Sequence, residues 1–125
     1  MKSTTLLLRQ VHPAFLSEGR VSSQAFTPFP KDKNLLSVYN GDLIAPDKSY
    51  EHYVQKYQSV GVWAVTQSET TDAGLSARSD PLENFDEHAV VDFAELSPRE
   101  ARKKAKILVG MASQRGCLYK PEQSD

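Results

Sequence analysis

The stretch HAVVDFAELSPREARKKAKILVGMASQRG, from His88 to Gly116, carries a strand signal and a helix signal back to back. His88 to Ala94 is almost continuously apolar, which predicts a central strand covered on both faces. Ser97 then opens a capping box with Glu100. Pro98 takes the first helical position, where its missing N–H is no loss. Ala101, Ala105, Leu108 and Met111 or Ala112 recur at helical spacing, so the helix has one apolar stripe. Gly116 stops it. A helix with one such stripe needs a sheet to cover.

Upstream, Val60 to Thr66 reads as a second central strand with both faces covered. Thr4 to Val11, with three leucines, reads as a first strand that Pro13 ends. Residues 12–19 read as a turn or one short helix closed by Gly19, and Arg20 to Phe26 as a further strand. Pro28 and Pro30 make residues 27–34 a loop. Leu35 to Tyr39 is a short apolar segment before an Asn40-Gly41-Asp42 turn. Asp47 or Ser49 is placed to cap a helix from Tyr50 to about Gln58. Residues 68–73 suit one or two helical turns, and residues 74–86 a polar loop. Cys117 to Tyr119 would return as an edge strand. The expected fold is therefore α+β: a single domain over 1–125 with a mixed, mostly antiparallel sheet covered by a C-terminal helix.

Composition narrows the classes of function. With 125 residues, 39% apolar and 25% charged, the chain can bury one core. A mean hydropathy of −0.49 and the absence of a long apolar run argue against a membrane span. The three leucines before Arg9 are too short for a signal-peptide core. The lone Cys117 excludes an internal disulfide, and a reducing cytoplasm is the expected location. The net charge of −1 speaks against broad electrostatic binding of nucleic acid. Charge is nonetheless segregated. Glu69 to Glu100 carries nine acidic and two basic residues, and Arg99 to Lys120 seven basic and one acidic. Arg99, Arg102, Lys103 and Lys106 share a helix face. That face is either a solvated surface or a contact for an acidic protein or a nucleic-acid backbone.

No Walker loop, G-x-G-x-x-G, H-E-x-x-H or G-x-S-x-G motif is present. His12, His52 and His88 lie far apart, so no metal site is expected from them. A fainter order runs through LLLRQVH (6–12), LSVYNGD (36–42), DKSYEHY (47–53) and NFDEHAVVD (84–92). It resembles the histidine–tyrosine–glutamate branch of the ADP-ribosyltransferase superfamily. The resemblance implies that His12 holds the nicotinamide ribose of NAD and that Tyr39 and Tyr53 sandwich the nicotinamide ring. It implies that Glu87 binds the ribose hydroxyl and orients the acceptor. Arg9 would pair with the pyrophosphate, and Ser37 would join Arg9 and Tyr53 in contacting NAD. These residue types suit the chemistry: a carboxylate stabilises an oxocarbenium-like centre, and aromatic faces stack a leaving ring.

Two functions follow from different features. The first is a compact transferase or NAD-cleaving domain of toxin, effector or RNA-repair type, which needs Tyr39, Tyr53 and Glu87 in one cleft. The second is a non-catalytic protein-binding module: an antitoxin, immunity or regulatory subunit. That one needs only a binding face, such as the acidic stretch around Asp80 to Asp92, the basic last helix or the aromatic loop 26–30.

Overall fold

The computed structural model describes residues 1–122, with Pro30 described by its backbone alone. Seven strands and three α-helices follow one another along the chain. The strands are β1 (Leu6–Gln10), β2 (Leu16–Ser17), β3 (Arg20–Val21), β4 (Leu35–Asn40), β5 (Val62–Thr66), β6 (Ser76–Ser79) and β7 (His88–Asp92). The helices are α1 (Pro46–Tyr53), α2 (Gln67–Asp72) and α3 (Pro98–Arg115). The main sheet runs β5-β1-β4-β7-β6 with every neighbouring pair antiparallel, and β2 and β3 form a separate hairpin. This is the expected α+β architecture.

Adjacent Leu7 and Leu8 on β1 are both fully buried, because successive side chains enter opposite faces and both faces are covered. On one face α3 lays Ala101, Ala105, Leu108 and Ala112 against Leu7, Val38 and Val91. The small alanines let the helix come close to the sheet. Ser97 and Glu100 form the capping box, and α3 spans the residues read from sequence. On the other face Leu8, Tyr39, Val62 and Ala64 pack under Tyr50 and Tyr53 of α1, with Phe85 and Tyr119 beside them.

Several elements differ from the sequence reading. The strand expected from Arg20 to Phe26 pairs only at Arg20 and Val21. The Ser22 hydroxyl instead accepts the Gln24 amide at 3.0 Å and caps a 3-10 turn over Ser23–Phe26. Helix α1 begins earlier, at Pro46, and ends at Tyr53. Its cap position is Ala45, which makes no side-chain cap bond. Ser49, expected as a cap, is buried and donates to the Pro46 carbonyl at 2.7 Å. Strand β5 is an edge strand, not a central one. Its apolar run reports two covered faces, while its outer side meets a single bridge to Tyr119 where an edge strand was expected. Gly61 permits that approach: a Cβ there would lie 2.8 Å from the Tyr119 carbonyl oxygen. The loop expected over 74–86 contains β6, which zips onto β7 from Ser76↔Asp92 to Ser79↔Ala89. Among the described residues no helix is long and apolar enough to cross a membrane.

Candidate functional site

Strands β1 and β4 pair only through Leu7↔Asn40 and Leu8↔Tyr39. Beyond that point β1 stays with β5 as far as Gln10↔Val62, and β4 stays with β7 as far as Leu35↔Asp92. The sheet is split along this line, and its backbone groups need other partners. Arg9 reaches two of them. Its Nε donates to the Ala25 carbonyl at 2.7 Å and its Nη1 to the Ser37 carbonyl at 2.9 Å. A guanidinium has five N–H donors, so about three remain without a partner among the described residues. Burial presses the Arg9 pKa down, while the Tyr53 phenol and the Asp32 carboxylate pull it up. Arg9 stays charged at neutral pH, as arginine does throughout proteins.

A cavity of about 40 Å³ opens at the split, lined by Arg9, Ser37, Tyr39, Tyr53, Phe85 and His88 among others. It shares Tyr39, Tyr53 and Phe85 as walls with a groove of about 530 Å³. That groove runs between the end of α1 and the loop 82–85, and Lys56 and Tyr57 complete its rim. Phe85 is the aromatic hub. Its ring centroid lies 4.5 Å from His52, 5.1 Å from Tyr39 and 5.2 Å from His88. Tyr53 and Tyr57 stack at 5.1 Å on the far wall.

The Tyr39 hydroxyl sits 2.7 Å from Nδ1 of His52. Burial pushes the Tyr39 phenol far up, and the neighbouring Tyr53 and Glu87 push it further. Tyr39 therefore keeps its proton, and its hydroxyl and His52 Nδ1 share one hydrogen bond whose direction the ring tautomer sets.

His88, which the sequence reading treated as an ordinary strand residue, holds two contacts across the sheet. Its Nδ1 faces the Asp80 carbonyl oxygen at 2.8 Å and the Asp80 Oδ2 at 3.2 Å. Its Nε2 faces the Ser37 hydroxyl at 3.1 Å. Ser37 and His88 are diagonal neighbours on one face, since Ser37 registers with Val90 and His88 with Tyr39.

Of the six residues expected at the site, Arg9, Ser37, Tyr39 and Tyr53 line the small cavity together. Glu87 is half-buried next to it. Its carboxylate acts on the Tyr39 phenol, but its side chain is not part of either wall. His12 lies elsewhere, on an exposed turn. Its Nδ1 accepts the Ala14 amide at 3.0 Å and caps a 3-10 turn, so its ring serves the backbone. Phe85, His52 and Asp80 were not singled out from sequence. Only Phe85 carries a signal, as an aromatic just before a strand.

A second hollow of about 530 Å³ lies on the opposite side, between the 26–30 loop and the start of α3. Phe15, Pro28, Phe29 and Leu96 make it apolar, with Arg102 at its rim. No family model matches the chain, and neither a curated protein nor a solved structure matches it.

Proposed function

We propose that the protein binds a nucleotide, NAD or a close relative, in the groove over Tyr39 and acts on it as a small ADP-ribosyltransferase-like domain. The observation that supports this reading is Arg9: a charged fork with donors to spare, at the foot of a groove walled by Tyr39 and Tyr53. A pyrophosphate there gains charge-assisted hydrogen bonds from the guanidinium. The tyrosine rings offer faces for a nicotinamide or adenine ring. Glu87, beside Tyr39, supplies the negative charge that an oxocarbenium-like centre needs. Arg9 stands in for His12 as the basic residue at the end of the first strand. An effector or RNA-repair enzyme of this kind would work in a reducing cytoplasm, where the lone Cys117 stays a thiol.

Calorimetry with NAD is the direct test. Saturable binding that weakens in an Arg9→Gln variant supports the reading. No heat at millimolar NAD overturns it.

The second reading, a non-catalytic module for a protein partner, is favoured by the apolar hollow. Phe29 at its mouth is 52% exposed, and the basic residues Arg99, Arg102, Lys103 and Lys106 follow along α3. These four make no ion pair among the described residues, which leaves them for an acidic partner or a nucleic-acid backbone.

A further inference from the structure

Ser37, His88 and Asp80 stand in the order nucleophile, base, orienting acid. Both atoms facing His88 Nδ1, the Asp80 carbonyl oxygen at 2.8 Å and Oδ2 at 3.2 Å, can only accept. Nδ1 must therefore carry the ring proton. In the neutral ring this leaves the lone pair on Nε2, 3.1 Å from the Ser37 hydroxyl, which then donates to it. This is the arrangement in which a histidine can take a serine proton. The ring is held: His88 is 8% exposed and packed edge-on to Phe85. Ser37 itself is exposed. A hydroxyl open to solvent, on a buried and oriented imidazole, is more than a strand residue needs for folding. Arg9 lines the same small cavity and is anchored on the Ser37 carbonyl, with N–H donors left over.

We propose that Ser37 is a catalytic nucleophile, with His88 as its base and Asp80 as a positioning residue, and that the site cleaves short-chain carboxylic esters of ring-bearing alcohols. The cavity of about 40 Å³ has room for a small acyl group, and the aromatic groove beside it for the alcohol. The Ser37 Oγ attacks the acyl carbon and its proton passes to His88 Nε2. The carbonyl electrons move to oxygen, where the guanidinium of Arg9 offers hydrogen bonds. Collapse breaks the C–O bond, and His88 returns the proton to the departing alcohol. Water then adds to the acyl-serine, giving its proton to His88. The carboxylic acid leaves as Ser37 recovers that proton.

None of these steps uses NAD or Glu87, so this inference and the nucleotide reading fail separately. Two probes test it: a fluorophosphonate, which reports a nucleophilic serine, and p-nitrophenyl acetate, a short ester of an aromatic alcohol. Peptide mapping should place the fluorophosphonate on Ser37. Ser37→Ala should take no label and lose p-nitrophenyl acetate hydrolysis. His88→Asn should slow both reactions by about 100-fold or more, the contribution of a positioned base. Asp80→Asn should lose less, because the Asp80 carbonyl still holds Nδ1, and Asp80→Glu should recover most of that loss. Ser113→Ala, on the exposed side of α3, should label like the parent. Circular dichroism and a thermal melt establish that each variant is folded. An unlabelled parent overturns the proposal. So does a folded His88→Asn protein that labels at the parental rate.

Discussion

Nη1 of Arg9 lies 2.9 Å from the carbonyl oxygen of Ser37, across a line where β1 and β4 have stopped pairing. A side chain here does the work of a strand. Arg9→Gln shortens the reach and removes the fork, leaving the Ala25 and Ser37 carbonyls without donors. The loss should be at least about 2 kcal/mol, since each unsatisfied acceptor costs about 1–3 kcal/mol. Urea denaturation checks this. A change below about 0.5 kcal/mol, the range of ordinary surface substitutions, would show that water replaces the guanidinium freely.

Glu87→Gln keeps the side-chain size and removes the charge beside Tyr39. On the transferase reading, nicotinamide release should fall by about two orders of magnitude or more, the weight of one preorganised electrostatic contact. NAD affinity should change little, because Arg9, Tyr39 and Tyr53 remain. A release assay beside calorimetry separates the two quantities. Equal loss of both would make Glu87 a binding residue only.

Leu108 is fully buried where α3 meets the sheet. Leu108→Ala should cost about 2–5 kcal/mol, read from the shift of the urea midpoint at constant slope. A cost under about 1 kcal/mol would mean that neighbouring side chains close the space.

Trp63, on β5, is 8% exposed beneath α3. Its fluorescence should resist acrylamide in the native protein and become quenchable in urea. Full native quenching would place the indole outside the core.

The carboxylate of Glu69 gives the fold an acid limit. Burial pushes its pKa up, but the paired bonds from Arg115 at 2.9 and 3.2 Å and the Thr66 amide outweigh that, and the net shift is down. A depressed folded pKa contributes stability above the ordinary value of 4.5 and loses it as pH falls through the lowered one. The parent's advantage over Glu69→Gln in urea should therefore be present at pH 7 and shrink below about pH 4.5. Asp92, held down by Arg78 and the Ala94 amide, adds to the same acid sensitivity.

Where local chemistry decides an element, the sequence was readable. Ser97, Pro98 and Glu100 set the start of α3 among themselves, so no distant contact could move it. Strand β6 gave no such signal, because Ser76, Arg78 and Ser79 are polar and exposed on an edge. It pairs because β7 offers a free side, a fact about a neighbour. Strand β5 shows the converse: Val62 to Val65 report that both faces are covered but say nothing about how many strands flank them. The site divides the same way. Arg9, Tyr39 and Tyr53 are conspicuous residue types at element ends. Ser37, His88 and Asp80 meet only through the register of β4 on β7 and the loop after β6, which no spacing along the chain encodes.

The outer side of β5 remains the most exposed hazard of this fold. It is an apolar run on a sheet edge, the form of strand that templates chain-to-chain pairing. Three contacts close it. The Val62 amide donates to the Tyr119 carbonyl, the Leu118 amide donates to the Val62 carbonyl, and Arg115 Nη1 donates to the Ala64 carbonyl. The segment after α3 is thus a guard against self-assembly as much as a piece of the core. A chain shortened to end at Gly116 would keep its helix and the Arg115 contact to Ala64, yet it would bare the edge at Val62 and lose Leu118 and Tyr119 from the α1 face of the sheet. Such a protein should fold, bind as before at low concentration, and seed thioflavin-positive fibres as its concentration rises.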